Sequence, residues 1–239
     1  EVACEVLQPF WPGLLHRPQT AGFNEDAKAE LLLRAGMLTG WLGSAKQVAG
    51  AQEAAKDLIS ESAAIFETLG NLEKAAEARV DLAICYWREG ALDEARVTLR
   101  LVLNGLGEFQ SEQKLRALLN SAIVEKSATR DYEALRIYRE AAPEFETCTN
   151  HALKGKFHNA YAILLRSLGA AEKRDEYIDS ALVEYAAASF HFEQVGFHSL
   201  QATVENNVGF LFGSIGRFDE ASEHLNNARR LFVKLSDRG

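Results

Sequence analysis

The side chains best suited to catalysis or metal binding are four histidines and a cysteine in the second half of the chain. Cys148, His151 and His158 fall within eleven residues of one another. Their spacing does not place them on one helical face, so a zinc site would need further ligands from elsewhere. His191 and His198 flank another predicted turn. We therefore expect surface or interhelix histidines, with no metal and no cofactor.

Other patterns typical of enzymes are incomplete. The segment Gly105-Leu106-Gly107 has neither the lysine nor the preceding strand of a phosphate-binding loop. The acidic pairs Asp93-Glu94 and Asp219-Glu220 begin predicted helices, where negative charge is favourable. Since no convergent acid–base set is evident, the sequence predicts a protein that is not an enzyme.

Composition and charge narrow the class of protein further. The chain has 239 residues, 47% of them hydrophobic, and a net charge of −8, which argues against direct nucleic-acid binding. No apolar run is long enough for a membrane span, and the N-terminus does not resemble a signal peptide. Three widely spaced cysteines outside any CxxC motif favour a reducing, cytoplasmic location. Because the chain starts without methionine, we expect a segment of a longer protein.

The elements that position these side chains are predicted to be helices in pairs. Three of the four prolines lie in the first 18 residues, and the rest is rich in Ala, Leu and Glu, which predicts an all-α body. The clearest pair spans Thr203–Phe232, where Gly216 separates two amphipathic helices. Gly209 lies inside the first of these. A helical glycine costs about 1 kcal/mol relative to alanine, so close approach of another helix is its best explanation.

This pattern resembles the tetratricopeptide repeat (TPR), which has small residues at fixed positions in both helices of a hairpin. The resemblance implies a right-handed α-solenoid of about five hairpins of roughly 40 residues each. Small residues of the first helices set the register, at Gly36, Ala83, Ala122, Ala162 and Gly209. We expect an N-terminal cap or repeat remnant at 1–23 and a solenoid at 24–239, with hairpins at 24–69, 72–105, 111–147, 150–195 and 199–235.

The chain also repeats itself at an offset of 126 residues. Leu42-Gly43 recurs as Leu168-Gly169, Gly90 as Gly216, and Asp93-Glu94-Ala95 as Asp219-Glu220-Ala221, followed by Leu99 and Leu225. Hairpins one and four contain seven extra residues each, which are predicted to lengthen their helices. Turns are predicted at Gly70, Gly90, Gly105 to Gly107, Gly169, Gly196 and Gly216.

In the resembling family, the first helices line a concave groove. The resemblance therefore implies a peptide-binding groove in this chain. Its predicted residues are Trp87, Arg88, Arg116, Lys126, Lys156, Asn159, Arg166, Asn206 and Phe210. Leu33, Trp41, Val80 and Leu119 are also predicted to face the groove. The predicted groove is acidic and aromatic in its first half, then basic from Arg116 to Arg166. Asn159 and Asn206, expected to be exposed, could bind peptide backbone while the cations select acidic side chains.

The sequence therefore predicts a non-enzymatic protein–protein interaction scaffold that binds a partner peptide or helix, with an acidic partner favoured. The Asn206-Asn207 pair resembles the long repeats of kinesin light chains and of the Leu-Gly-Asn-type polarity scaffolds, which bind extended peptides. The alternative is a regulatory or sensor solenoid of a larger bacterial signalling or transcription-regulating protein. Self-association and a pure spacer role stay open.

Overall fold

The computed structural model describes residues 6–236, so Cys4 and part of the predicted cap lie outside the described residues. Between residues 25 and 236 the chain forms ten helices, and residues 6–236 contain no strand. The helices are α1 (Glu25–Ala45), α2 (Ala51–Thr68), α3 (Leu72–Glu89), α4 (Leu92–Leu106), α5 (Glu112–Ser127), α6 (Asp131–Glu146), α7 (His151–Glu172), α8 (Asp175–Gln194), α9 (His198–Ser214) and α10 (Phe218–Ser236). The prediction of an all-α fold is confirmed.

Polar side chains and glycines determine where several helices begin and end. The side chain of Asn24 accepts a hydrogen bond from the amide of Ala27 at 2.8 Å, and Asn150 accepts one from Leu153 at 3.0 Å. Each satisfies a backbone donor that the first helical turn leaves without a partner. Gly90 ends α3 with a φ of 82°, a left-handed conformation that costs glycine little.

The chain divides into two compact units, residues 1–128 and residues 129–239. In the first unit, α1 packs against α2, α2 against α3, α3 against α4, and α5 against both α3 and α4. Trp11, which is almost completely buried, packs with Leu32, Ala35 and Leu58 beside α1 and α2. In the second unit, α7 packs against α6, α8 and α9, and α9 packs against α8 and α10. The predicted hairpin at 111–147 contributes α5 to the first unit and α6 to the second; the single continuous array stays a prediction.

Small residues lie where paired helices cross, as predicted. A β-carbon on Gly36 would lie 2.6 Å from Cγ1 of Ile59, and one on Gly209 would lie 2.8 Å from Cγ of Leu225. These distances are shorter than van der Waals contact, so the helices can approach this closely only with glycine at these positions. The interpretation of Gly209 as a close-contact position is confirmed.

Most of the extra residues of the long hairpins enter the helices, but residues 46–50, predicted to be helical, form the link between α1 and α2. With 21 residues in α1 and 22 in α7, these two are the longest of the ten helices, whereas α3 has 18 and α9 has 17. The turn predicted at Gly169 is wrong, and the turn predicted at Gly105 to Gly107 starts only after Leu106. Gly169 lies inside α7, where a β-carbon would be 2.6 Å from Cδ1 of Ile178, and Gly105 lies inside α4. Gly169 is a close-contact glycine, not a helix end.

Candidate functional site

The first unit presents an aromatic cleft on the helices predicted to line the groove. Trp41 of α1 and Trp87 and Arg88 of α3 line a cleft of about 540 Å³, together with Ser44 and Ala45. The Trp41 side chain is 56% exposed. The Trp87 indole nitrogen donates a hydrogen bond of 2.8 Å to the hydroxyl of Ser127 on α5, which fixes the orientation of the ring. Exposed indole faces suit an apolar or cationic side chain of a ligand.

The acidic residues predicted for this half of the groove are already paired. Glu77 lies 2.7 Å from Arg34 and 3.0 Å from Lys74, and Glu30 pairs with the same two cations. Burial opposes ionisation of Glu77, but the hydrogen bonds from Arg34 and Lys74 outweigh it and lower the pKa of this carboxyl group. This network therefore offers a ligand little net charge.

Arg116 is also paired. Its guanidinium lies 2.8 Å from Oδ1 of Asp81 on α3 and donates a second hydrogen bond, of 2.9 Å, to the side chain of Gln113. Asp81 is buried, and this burial raises its pKa despite the neighbouring positive charge. The first contribution of Arg116 is thus to attach α5 to α3. Lys126, further along α5, is half-buried.

In the second unit, two asparagines lie side by side on α7 and α9. The side-chain nitrogen of Asn207 donates a hydrogen bond of 3.1 Å to the side-chain oxygen of Asn159. Asn159 is half-buried, so the prediction that it is exposed is wrong, whereas Asn206 is exposed as expected. The neighbour of Asn159 is Asn207, one position further along α9 than the sequence register suggested.

The same two helices bring a cation onto an aromatic ring. The guanidinium carbon of Arg166 on α7 lies 5.7 Å from the ring centre of Phe210 on α9, within the range of a cation–π interaction. Phe210 is 66% exposed. Lys156, also on α7, is exposed. We call Lys156, Asn159, Arg166, Asn206, Asn207 and Phe210 the α7–α9 patch.

Three of the predicted groove residues do not reach the surface. Leu33, Val80 and Leu119 are fully or almost fully buried. The prediction was wrong at these positions because Leu33 and Val80 lie in core clusters of the first unit and Leu119 is buried on α5.

Three histidines meet between α7 and α8 and form what we call the histidine cluster. The Nδ1 atoms of His151 and His191 are 2.9 Å apart, and the rings of His158 and His191 stack with centres 5.4 Å apart. Nδ1 of His158 lies 2.6 Å from a carboxylate oxygen of Glu184. Burial, followed by the positive charges of His158 and Lys154, lowers the pKa of His191 to about 4.

The sequence did not predict this cluster, because the register between α7 and α8 depends on contacts between the two helices. In two antiparallel helices, residue numbers fall along one helix as they rise along the facing helix. The contacts of Gly155 with Phe192 and of Gly169 with Ile178 set that register and place His191 opposite the start of α7. No group of three or more His, Cys, Asp or Glu residues in the described part of the chain is arranged to hold a metal ion.

The fold is that of a TPR-type helical-repeat protein. The structure is similar to BtubC (BKLC) from P. vanneervenii, with a TM-score of 0.59 and 18% sequence identity over 90% of this chain and 93% of that one. It is similar to TPR-like repeats of a putative kinesin light chain from Podosopora anserina, with a TM-score of 0.57 and 15% identity over 91% and 100% of the two chains. A third similar structure is aspartyl phosphate phosphatase F from Bacillus subtilis, with a TM-score of 0.58 and 13% identity over 87% of this chain and 61% of that one.

No family model and no curated protein sequence matches the chain. The structural likenesses support the predicted α-solenoid of helical hairpins. None of the helices in the described residues is long and apolar enough to cross a membrane.

Proposed function

We propose that this chain is a non-enzymatic scaffold that binds an extended peptide segment of a partner protein on its first helices. The partner segment would carry acidic side chains, and binding would need neither a cofactor nor a metal. We place the protein in the cytoplasm, which agrees with its cysteine usage.

The observation that carries this proposal is the α7–α9 patch. It combines an exposed aromatic ring, a guanidinium over that ring and a pair of side-chain amides on two adjacent helices. Amide groups both donate and accept, so they can replace the hydrogen bonds that a peptide backbone makes with water. A cation above the ring can pair with a carboxylate of the ligand, and the ring provides apolar contact.

The first unit would supply a second contact region. The cleft between Trp41 and Trp87 is large enough for one side chain, and Arg88 at its edge adds a positive charge. Arg116 contributes less than the sequence suggested, because Asp81 already pairs with it. Lys126 would extend the basic region along α5. We therefore expect the α7–α9 patch to dominate acidic selectivity and the tryptophan cleft to add apolar selectivity.

The second candidate is a regulatory solenoid whose ligand is a signalling factor. A Rap protein solved in complex with Competence and Sporulation Factor resembles this chain, with a TM-score of 0.55 and 14% identity over 91% of this chain and 67% of that one. At such identity the likeness extends to the fold alone. The two candidates differ in the full-length protein, since adjoining ATPase, DNA-binding or kinase segments would favour the regulatory candidate.

The test is a peptide-library screen against the purified chain, followed by titration of the selected peptides. We expect Arg166→Gln to weaken binding about tenfold, which corresponds to about 1.4 kcal/mol. The matched control is Arg136→Gln, which removes the same charge from an exposed position on α6, where Arg136 pairs with Glu133 and Glu140 of its own helix. Because long-range electrostatics change equally in both variants, a difference between them reports local contact.

Two outcomes would refute the proposal. The first is equal binding by the Arg166→Gln variant and the parent. The second is a selection of ligands that bind the second helices of the hairpins, α8 and α10, instead of α7 and α9.

A further inference from the structure

The last helix pair of the described chain carries an uncovered apolar cleft. Residues of α9 and α10, including Gly209, Gly213, Phe218, Ala221, Ser222 and Leu225, line a cleft of about 720 Å³. Phe218 is 72% exposed and Leu225 is 42% exposed. Isolated exposed apolar residues are common on proteins, but a continuous apolar cleft usually marks an interaction surface.

The internal repeat indicates what kind of element fits this cleft. At an offset of 126 residues, Leu225 corresponds to Leu99 in α4, within the same Asp-Glu-Ala-x-x-x-Leu segment. Leu99 is completely buried. It belongs to a core cluster with Ala95 of α4 and with Ala117 and Val124 of α5, two residues that are two helical turns apart. In the first unit, the amphipathic helix α5 therefore covers the face of the α3–α4 hairpin that corresponds to this cleft.

The polar residues around this face differ between the α3–α4 hairpin and the α9–α10 hairpin. In the first unit, Arg96 pairs with Glu125 of α5 at 2.5 Å, and Asp81 pairs with Arg116 of α5 at 2.8 Å. At the 126-residue offset, Arg96 becomes Ser222 and Asp81 becomes Asn207. Both charged anchors are thus replaced by neutral side chains. A helix that fits the α9–α10 cleft should have the apolar stripe of α5 without the charges at the positions of Arg116 and Glu125.

We propose that the α9–α10 cleft binds an amphipathic helix of a partner protein. This helix carries a small and an aliphatic residue seven positions apart, bordered by uncharged polar residues. The cleft adjoins the α7–α9 patch: Phe210 lines the cleft and belongs to the patch, and Asn207, the counterpart of Asp81, is also a patch residue. Binding here depends on apolar burial, so it responds little to salt, whereas peptide binding at the α7–α9 patch weakens as salt rises.

The probe is a fluorescent synthetic peptide of residues 111–127, the α5 segment, with the substitutions R116Q and E125Q that remove the two charges. Its binding to the full chain is followed by fluorescence anisotropy. We expect saturable binding whose Kd changes less than about twofold between roughly 0.1 and 0.5 M salt. The unsubstituted α5 peptide should bind more weakly, because its two charges find no partners at the cleft.

Phe218→Asp should weaken binding of the substituted peptide about tenfold or more, because it places a charge in the apolar cleft. Phe218 is exposed and begins α10, where an acidic residue is favourable, so the fold should be kept. The matched control is Leu72→Asp, since Leu72 begins α3 and is 67% exposed outside the cleft. Ser222→Glu is a second variant that introduces a charge into the cleft and should also weaken binding.

Absence of saturable binding, or equal binding by the Phe218→Asp and Leu72→Asp variants, would overturn the inference. Loss of binding in Arg166→Gln with retention in Phe218→Asp would place the peptide at the α7–α9 patch and overturn it while supporting the proposed function. Sedimentation is the last check. If the parent dimerises and Phe218→Asp is monomeric, a second copy of the chain occupies the cleft instead of a partner helix.

Discussion

Acid should weaken the second unit through the histidine cluster. The pKa of His191 is lowered from 6.5 to about 4, first by burial and then by the positive charges of His158, Lys154 and His151. His191 is therefore neutral in the folded chain at pH values where the unfolded chain already binds a proton. Stability from this group is present above pH 6.5 and is lost as the pH falls towards 4.

The size of the effect follows from the shift. The difference between the pKa of His191 in the unfolded and the folded chain corresponds to about 3 kcal/mol, at 1.36 kcal/mol per pKa unit. Because His191 is only partly buried, solvent screening reduces the effect, and we expect a loss of about 1–2 kcal/mol between pH 6.5 and 4.

The assay is urea unfolding at a series of pH values for the parent chain and two variants. His191→Gln should flatten the loss of stability between pH 6.5 and 4, because the group with the lowered pKa is gone. His198→Gln is the control, since His198 is an exposed imidazole whose Nδ1 lies 2.8 Å from the side-chain oxygen of Gln201, outside the cluster. Parallel pH curves for the parent and His191→Gln would refute the reasoning.

Two predictions concern packing and buried charge, and urea melts test both. Gly209→Leu should cost roughly 1–3 kcal/mol because the new side chain overlaps Leu225. Gly213→Ala should stabilise α9 by up to about 1 kcal/mol, since the nearest atom to its new β-carbon, on Ala221, is 3.9 Å away. Equal midpoints for these two variants would contradict the packing register. Arg96→Gln should cost about 2–4 kcal/mol because it removes a charged, hydrogen-bonded partner of the buried Glu125 side chain. An unchanged midpoint would mean that this ion pair does not stabilise α5.

The sequence predicted the helices well because their signals are local. Apolar periodicity and capping residues such as Asn24 and Asn150 act within one or two turns, so they can be recognised without knowledge of packing. Gly169 was misassigned because a glycine near a predicted helix end has two explanations. Only contact with Ile178 on the next helix distinguishes close approach from a helix end.

The candidate site was less predictable because its properties depend on pairs of residues far apart in sequence. Arg116 looked like a cation available to a ligand, yet Asp81 lies 35 positions earlier and pairs with it. Asn159 was expected to be exposed, but Asn207 contacts it across 48 positions. In each case the helix-to-helix register, which a single sequence specifies only to within a few residues, decides the partner.

The central claim is that the first helices bind a partner peptide, and amide chemical shifts of the labelled chain test it most directly. A selected acidic peptide is titrated into the protein, and the shifts are assigned along the helices of the second unit. The account predicts that the largest changes fall on α7 and α9, around Asn159, Asn206 and Phe210, with smaller changes on α8. Changes concentrated on α8, with α7 and α9 unaffected, would contradict it.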